Sequence, residues 1–285
     1  MEIRTIGVVG AGQMGAGIAQ VSIMNGFKVV LNDVSDVYLA KGRAGIEKGL
    51  EILVRKEKIQ AAEREKMLSC LVTTTNLSDF HNCDFVVEAA TERQDLKNTI
   101  FRKLDETLPA GKILATNTSS ISITAIAAVT RRPENVIGMH FMNPVPLMKL
   151  IEVIRGLQTS QETFDATMEL SRRLDKEPVP ANDYPGFIAN RILMPMINEA
   201  AFALMEGVGK AEDIDAIMRM GANHPMGPLA LADLIGLDTC LEVLKVMQEG
   251  LGDPKYRPCP LLRKHVEAGY LGKKTGRGFY IYTKA

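Results

Sequence analysis

The sequence predicts an α/β protein in which a doubly wound parallel sheet with a helical insertion is followed by an all-α C-terminal domain. In the first half, short apolar runs alternate with amphipathic stretches, as in strands joined by crossover helices. Residues 36–70 carry no strand pattern and are predicted to form two helices. After the proline-rich stretch 177–184 the apolar spacing is helical. We therefore predict two domains, 1–184 and 185–285.

The individual elements follow from the spacing of the apolar residues. Six apolar runs predict the strands 5–9, 28–32, 84–89, 112–116, 136–140 and 149–154. Helical spacing in the first domain predicts the helices 13–25, 94–108, 122–129 and 163–174. Since crossovers between parallel strands are right-handed, these helices cover both faces of the sheet. The second domain is predicted to contain helices 187–205 (kinked at Pro195), 212–220, 229–249 and 260–268, before a short apolar tail at 278–282.

Length and composition are those of an ordinary globular protein. The 285 residues suffice for about two domains. The 46% hydrophobic and 24% charged shares exclude a disordered or fibrous chain. With 34 basic and 34 acidic side chains the formal net charge is zero. This balance gives no electrostatic reason to expect nucleic acid or an anionic membrane as a partner.

Two features bear on the cellular compartment. The cysteines are widely spaced without a zinc or disulfide pattern, so we expect no bound metal and buried free thiols in a reducing compartment. They are Cys70, Cys83, Cys240 and Cys259. The uncharged runs 5–27 and 113–130 are interrupted by polar residues, unlike a membrane span, and the chain opens in a strand rather than a targeting leader. We therefore expect a cytoplasmic protein.

The segment after the first predicted strand matches the pattern G-x-G-x-x-G. Its residues are Gly10, Ala11, Gly12, Gln13, Met14 and Gly15. A strand precedes the motif and a helix follows it, which is the context of a Rossmann-type dinucleotide site. There the glycines permit the tight turn, the close approach of a pyrophosphate and the packing of helix on strand, while the helix N-terminus attracts phosphate. A tight turn without a ligand is the alternative.

The second predicted strand ends in Asn32 and Asp33. An acidic side chain at this place accepts hydrogen bonds from ribose hydroxyls, and its charge repels a 2′-phosphate. Val34 and Ser35 follow, with no adjacent arginine. We therefore expect NAD rather than NADP, although the fold alone leaves other nucleotides such as FAD open.

One of the four histidines is a candidate catalytic base. His81, His224 and His265 lie in a polar loop, a proline-rich loop and a charged helix, where surface or structural roles are the ordinary ones. His140 instead ends a predicted strand, and the carboxyl ends of parallel strands face the ligand crevice. Oxidation of a hydroxyl by NAD needs a base that works near neutral pH, which histidine supplies. A packed histidine at the strand end is the alternative.

Glu152 follows in the aliphatic run 150–154. A carboxylate among aliphatic side chains is costly to bury without a partner. Pairing with the imidazolium of His140 would offset that cost and favour protonation of the ring. A salt bridge to a lysine or arginine is the alternative.

Several segments together resemble the 3-hydroxyacyl-CoA dehydrogenase family, in order along essentially the whole chain. They are the glycine motif with Asp33, NTSS (117–120), GMHFMNP (138–144), PGFIANR (185–191), NHPMGP (223–228) and GKKTGRGFY (272–280). In its length and in the residues of these motifs, the chain looks closest to the stand-alone bacterial 3-hydroxybutyryl-CoA dehydrogenases. The resemblance implies an NAD-dependent oxidoreductase that interconverts (S)-3-hydroxyacyl-CoA and 3-ketoacyl-CoA. In butyrate or fatty acid metabolism the pair would be (S)-3-hydroxybutyryl-CoA and acetoacetyl-CoA.

The resemblance also implies roles for individual residues. His140 would be the general base and Glu152 its orienting partner, while Ser119 and Asn190 would hold the reacting hydroxyl and thioester region. The residues implied around NAD, besides the glycine motif, are Asp33, Glu92, Lys97, Asn117, Ser119, Asn143 and Lys274. For Glu92, Lys97 or Ser119 taken alone, a helix cap or a solvated charge is the alternative, and the joint pattern favours the site.

The insertion 36–70 corresponds to the part of the family that contacts the coenzyme A tail. Polar residues 58–62 separate its two predicted helices. The resemblance implies a substrate contact at Lys56, and the neighbouring Arg55 and Lys58 would meet the CoA phosphates. Gly49 stands where relatives can place a serine contact. A solvated helix face is the alternative for the basic cluster.

Family members use the second domain as a helical dimer interface, so the resemblance implies a homodimer. An NAD-dependent dehydrogenase of a free hydroxy acid is one alternative function. A non-catalytic, crystallin-like NAD-binding protein is another. A set of Ser119, His140, Glu152 and Asn190 favours the enzyme.

Overall fold

The computed structural model describes residues 2–282 of the chain, which forms two compact units. The first unit is Met1–Asp183 and the second is Tyr184–Ala285. The outermost residues of the two predicted domains, residue 1 and residues 283–285, lie outside the described part.

The first unit is built on one sheet of eight strands in the order β3-β2-β1-β4-β5-β6-β7-β8. The strands are β1 Thr5–Val9, β2 Lys28–Asn32, β3 Leu71–Thr74, β4 Phe85–Glu88, β5 Ile113–Thr116, β6 Val136–Phe141, β7 Leu150–Arg155 and β8 Glu177–Asn182. Neighbouring strands are parallel except for β6 and β7, which are antiparallel. The predicted fold class is thereby confirmed, with one reversal of direction that the alternation of strands and helices did not predict.

The sequence patterns did not predict either edge strand of the sheet. β3 has one buried residue, Leu71, in four, so no apolar run marks it. The proline-rich stretch 177–184 was taken to mark the domain boundary and no strand was predicted in it, yet β8 pairs with β7 along 177–182. Its prolines, Pro178 and Pro180, are tolerated because an edge strand has one side without a neighbouring strand.

Six helices belong to the first unit: α1 Gln13–Met24, α2 Asp36–Arg55, α3 Ala61–Ser69, α4 Gln94–Thr107, α5 Ile123–Ala127 and α6 Gln161–Arg173. The two helices predicted in the insertion are α2 and α3. Ser35 caps α2 by accepting a hydrogen bond from the Val37 N–H. α2 packs closely on the segment after β1, because a Cβ on Gly42 would lie 2.6 Å from the Ala11 carbonyl oxygen.

Aliphatic side chains fill the space between the sheet and its helices. Ile18, Leu31, Ile46 and Ile151 are fully buried there. Burial of each such side chain contributes about 1.5–3 kcal/mol relative to leaving it exposed. The core therefore needs no tryptophan, which the chain lacks.

A buried ion cluster holds the C-terminal end of α4. The Asp105 carboxylate is 4% exposed and accepts hydrogen bonds from Arg131 Nε at 2.8 Å and Arg132 Nε at 2.6 Å. Burial alone would raise the pKa of Asp105, but these hydrogen bonds outweigh it and hold the pKa below its usual value. Arg132 also donates to the carbonyls of Asp105 and Leu108, so it satisfies acceptors that the helix end leaves unpaired.

The second unit is helical within its described part. Its helices are α7 Ala189–Met205, α8 Ala211–Gly221, α9 Pro228–Ile235, α10 Leu237–Leu251 and α11 Pro260–Glu267. The prediction of a single helix over 229–249 is wrong. The helix is interrupted at Gly236, whose φ of 107° lies outside the helical region. α7 continues through Pro195. Leu229, Leu237 and Leu244 are completely buried in the core of this unit.

Two general features of the chain follow from the structure. All four cysteines are free, and Cys83, Cys240 and Cys259 are buried. Burial raises the thiol pKa to about 12 at Cys83 and Cys240. Among residues 2–282 no helix combines the length and the apolar character needed to cross a bilayer.

Candidate active site

In the first unit, predicted site residues follow the carboxyl ends of five strands. Examples are Asp33 after β2, Gly10 after β1, Glu92 after β4, Ser119 after β5 and Asn143 after β6. The chain reverses its strand order between β1 and β4, and an α/β sheet binds its ligand in the crevice at such a point.

The three glycines of the loop 10–15 have different surroundings. Gly10 has φ 99°, and a Cβ there would lie 2.7 Å from the Ala89 carbonyl oxygen. A Cβ on Gly15 would overlap the Gly10 carbonyl oxygen. A Cβ on Gly12, by contrast, would meet no atom within 4 Å. Gly10 and Gly15 are therefore required for packing within the protein, whereas the backbone at Gly12 is open to a ligand.

The helix α1 begins immediately after Gly12, so its first N–H groups lie at the open end of the loop. Asp33 fixes this loop from the side. Its Oδ2 accepts the Ala11 N–H at 2.7 Å, and its Oδ1 accepts the Val34 N–H at 2.7 Å. The carboxylate that the sequence assigns to a ribose is thus already oriented by backbone donors.

His140 and Glu152 form a cross-strand pair. They are directly opposite each other in the antiparallel register of β6 and β7. His140 Nδ1 lies 2.8 Å from Glu152 Oε2, and the two residues are 7% and 2% exposed. The carboxylate therefore fixes the ring through Nδ1, and Nε2 is the nitrogen that can exchange a proton with a substrate.

The segment 117–120 is held from two directions. Asn117 accepts the Phe141 N–H at 2.8 Å through its Oδ1, which ties the end of β5 to the strand that carries His140. Glu92 Oε1 accepts the Ser119 N–H at 2.8 Å and the Ser120 N–H at 3.2 Å. It also accepts the Thr118 hydroxyl at 2.5 Å. Glu92 and Asn117 thus position Ser119 relative to His140.

A buried ion pair that was not predicted from the sequence lies next to Glu92. Glu88, the last residue of β4, is 0% exposed and pairs with Lys97, which is 1% exposed, at 2.7 Å. Lys97 Nζ also lies 3.4 Å from Glu92 Oε2. The pattern that drew attention to Glu152, an acidic residue in an aliphatic strand, is present at Glu88 too and was the available sign.

Asn143 lies on the loop between β6 and β7, next to the glycine loop. Its Oδ1 accepts a hydrogen bond from Gln13 Nε2 at 3.0 Å. Lys176 also anchors this loop, because its Nζ donates hydrogen bonds to the carbonyl oxygens of Val145 at 2.6 Å and Met148 at 2.8 Å. Burial lowers the pKa of Lys176. The loop that carries Asn143 is therefore anchored at both ends.

Lys56 is an exposed residue at the C-terminal end of α2, beside Arg55 and Lys58, which are exposed as well. Arg55 pairs with Glu51 on the preceding turn at 3.2 Å. At Gly49 a side chain would meet Gln20 Oε1 at 2.6 Å, so a serine there would displace the glutamine amide. The basic cluster of the insertion is thus accessible to an anionic ligand.

Two predicted site residues belong to the second unit. Asn190 is the second residue of α7 and is half-buried. Lys274 lies in the short 3-10 turn Lys273–Thr275, and its Nζ pairs with Asp238 at 2.6 Å. The substrate-binding role of Asn190 and the NAD-binding role of Lys274 stay predictions.

The described residues of the first unit provide the features that a dinucleotide-binding site and a proton-accepting side chain require. The loop leaves backbone space at Gly12, α1 presents its N-terminus there, and Asp33 places a carboxylate at the end of β2. The paired imidazole of His140 lies one residue before the end of β6 in the same sheet. This combination suits proton transfer coupled to hydride transfer.

The sequence matches two family models that together span nearly the whole chain. One is described as 3-hydroxyacyl-CoA dehydrogenase, NAD binding domain, and matches residues 5–184. The other is described as 3-hydroxyacyl-CoA dehydrogenase, C-terminal domain, and matches residues 186–282.

Individual relatives are similar over their full length. A probable 3-hydroxybutyryl-CoA dehydrogenase of Deinococcus radiodurans is 56% identical over 97% of this chain and 99% of its own length. The 3-hydroxybutyryl-CoA dehydrogenase of Bradyrhizobium diazoefficiens is 54% identical over 99% of this chain and 97% of its own. The crystal structure of (S)-3-hydroxybutyryl-CoA dehydrogenase from Ralstonia eutropha superposes with a TM-score of 0.97 at 52% identity, covering 99% of this chain and all of that one.

The open space at Gly12 leads to a first prediction. Gly12→Ala should weaken NADH binding at least about tenfold, which is about 1.4 kcal/mol, because the added methyl group occupies ligand space. The apo protein should unfold within a few degrees of the wild type, since no protein atom lies within 4 Å. NADH fluorescence titration and thermal unfolding measure the two quantities. Gly45→Ala, at an equally open position on α2, is the control and should bind NADH normally. Normal NADH binding by Gly12→Ala would contradict the assignment of the loop.

Proposed function

The chain belongs to the 3-hydroxyacyl-CoA dehydrogenase family, and from this premise we propose that it interconverts (S)-3-hydroxybutyryl-CoA and acetoacetyl-CoA with NAD. The observation that carries the proposal is the pair of His140 Nδ1 and Glu152 Oε2, 2.8 Å apart and buried at the ligand edge of an NAD-binding domain.

The chemistry assigned to these residues is proton transfer. NAD, when bound, accepts the hydride that leaves C3 of the substrate. His140 takes the hydroxyl proton at Nε2 and becomes an imidazolium. Glu152, which accepts the hydrogen bond from Nδ1, stabilises the positive charge and fixes the tautomer. In the direction of reduction, the imidazolium of His140 returns the proton to the ketone oxygen.

The remaining predicted residues take binding roles in this proposal. Ser119 and Asn190 hold the oxygen and thioester region of the substrate. Lys56 contacts the coenzyme A tail, supported by its exposure at the end of α2. The residues proposed to surround NAD are the glycine loop with Asp33, Glu92, Lys97, Asn117, Ser119, Asn143 and Lys274.

The names of the relatives do not favour a free hydroxy acid as the substrate. The buried and mutually oriented pair of His140 and Glu152 does not favour a non-catalytic protein.

Turnover of the thioester tests the proposed function. The wild type should oxidise (S)-3-hydroxybutyryl-CoA with NAD, and His140→Gln should lower kcat by about 10³-fold, because general-base catalysis contributes on that order. NADH affinity should be unchanged in the variant. Stopped-flow and steady-state absorbance at the nicotinamide band measure both.

His81→Gln is the matched control, since His81 is exposed and its Nδ1 lies 3.3 Å from the Thr107 carbonyl oxygen. It should retain wild-type turnover. Equal rates with free 3-hydroxybutyrate and with its CoA thioester would contradict the assigned substrate class. Near-normal turnover by His140→Gln would remove this residue from the mechanism.

The carboxylate of Asp33 leads to a prediction about cofactor choice. The wild type should use NADH far better than NADPH, because Asp33 repels a 2′-phosphate. Asp33→Ser should narrow the ratio of kcat/KM for the two cofactors by about tenfold or more, the equivalent of about 1.4 kcal/mol. Asp165→Ser, which removes an exposed carboxylate on α6, should leave the ratio unchanged. Equal use of the two cofactors by the wild type would refute this role of Asp33.

We further propose that the chain is a homodimer joined through its second unit. α7 and the turn after it expose large apolar side chains, with Ile192 69% and Val208 76% accessible. Beside them lies a groove of about 590 Å³. Its lining carries both signs of charge, Arg191, Lys255 and Arg257 with Glu199 and Glu206. A surface that carries both charges and apolar groups can be complementary to itself about a two-fold axis.

Sedimentation equilibrium tests the dimer. The wild type at micromolar concentration should have twice the 31.2 kDa mass of the chain. Ile192→Glu should shift it toward the monomer, because a buried carboxylate without a partner opposes association. Leu157→Glu, at an apolar position in the first unit that is even more exposed than Ile192, should remain dimeric. A monomeric wild type would contradict the proposal.

The state of the cysteines bears on the cellular compartment. Four free cysteines, three of them buried, suit a reducing environment, and we propose the cytoplasm as the site of action.

A further inference from the structure

The carboxylate of Glu88 is completely buried and yet has no part in the proposed chemistry. Glu88 ends β4, where it lies in register with Val9 on one side and Thr116 on the other. It is 0% exposed. A buried anion requires compensation by hydrogen bonds and an opposite charge, so its partners indicate its role.

Those partners are three donor groups, which make four hydrogen bonds and engage both carboxylate oxygens. Oε1 accepts the Ala90 N–H at 2.6 Å and Lys97 Nζ at 2.7 Å. Oε2 accepts Lys97 Nζ at 3.0 Å and the Thr116 hydroxyl at 2.7 Å. Glu88 thus fixes the ammonium group of Lys97 and joins the ends of β4 and β5.

Lys97 connects this pair to a second carboxylate. Its Nζ lies 3.4 Å from Glu92 Oε2, so one ammonium is shared by Glu88 and Glu92. The other oxygen of Glu92, Oε1, accepts the N–H groups of Ser119 and Ser120 and the hydroxyls of Thr118 and Ser120. The position of Glu92 therefore depends on Lys97 and sets the conformation of segment 118–120.

We propose that Glu88 is a positioning residue for Ser119, acting through Lys97 and Glu92 without touching substrate or cofactor. When Glu88 is neutral, Glu92 becomes the sole carboxylate beside the Lys97 ammonium and is drawn toward it. Glu92 then releases the donors of segment 118–120, and Ser119 loses its fixed orientation. The consequence for catalysis rests on the proposed function, because that function gives Ser119 its role.

Hydrogen exchange of the apo protein tests the positioning directly. In Glu88→Gln the amides of Ser119 and Ser120, both bonded to Glu92, should exchange at least about tenfold faster than in the wild type. Asp105→Asn is the matched control, since it neutralises another buried, ion-paired carboxylate of the same unit. At the same interval below each unfolding temperature, the control should leave these two amides unchanged.

A double-mutant cycle in kcat/KM tests the consequence for the reaction. If Glu88 acts through Ser119, the fold-loss caused by Ser119→Ala should be several times smaller in the Glu88→Gln background than in the wild type. In the Asp105→Asn background the fold-loss should equal that in the wild type. A residue that only stabilised the fold would give equal losses in all three backgrounds.

Thr116→Val covers the case in which Glu88→Gln does not fold. It removes one donor to Glu88 Oε2 while all charges remain, and it should accelerate exchange at Ser119 and Ser120 to a smaller extent. Unchanged exchange at these amides, or an additive cycle in an active enzyme, overturns the positioning role. A wild type that is inactive on the thioester refutes the proposed function instead, and exchange then decides the role of Glu88 alone.

Discussion

The hydrogen bond between His140 and Glu152 is the interaction on which the remainder of the site depends, and it exists because the strand direction reverses once. β6 and β7 are the antiparallel pair in a sheet that is otherwise parallel. This register places a carboxylate from the middle of β7 directly beside the last residues of β6. The imidazole compensates the burial of Glu152, and Glu152 orients the imidazole, so the proposed proton transfer would use the same contact that makes the buried carboxylate tolerable.

Carboxylates organise the loops around this pair in a consistent way. Asp33 accepts a backbone N–H of the glycine loop, and Glu92 accepts two from segment 118–120. Asp183, at the end of the first unit, accepts the N–H groups of Ile123 and Thr124 at the start of α5. Each loop is thereby ordered before a ligand arrives, which reduces the conformational entropy that binding and reaction would otherwise cost.

The sequence predicted those parts of the fold that local patterns encode. The strands with continuous apolar runs, the two helices of the insertion and the glycine loop are found where the patterns placed them. The edge strands β3 and β8 were missed, because a strand with one covered side needs few apolar residues and tolerates Pro178 and Pro180. The break at Gly236 was missed because the apolar spacing continues across it, and the conformation of one glycine is not visible in that spacing.

For the candidate site, the sequence identified residues more readily than contacts. The sequence left the pairing of Glu152 with His140 open beside a salt bridge to lysine or arginine, and the antiparallel register that makes the two residues neighbours was not predicted. Lys97 was predicted to bind cofactor, but its ammonium group also neutralises Glu88, a contact between a residue of α4 and the last residue of β4. Such long-range pairs lie beyond any local pattern, since nothing near Glu88 in the sequence specifies which cation compensates it.

The proposed reaction requires that His140 exchanges a proton with the substrate oxygen through Nε2. The most direct measurement is a crystal structure of the protein with NADH and a non-reducible analogue of acetoacetyl-CoA. Nε2 should lie within about 2.6–3.2 Å of the oxygen on C3, with Nδ1 still bonded to Glu152. A substrate oxygen out of reach of this ring, with the imidazole enclosed by side chains on the far side of the crevice, would contradict it.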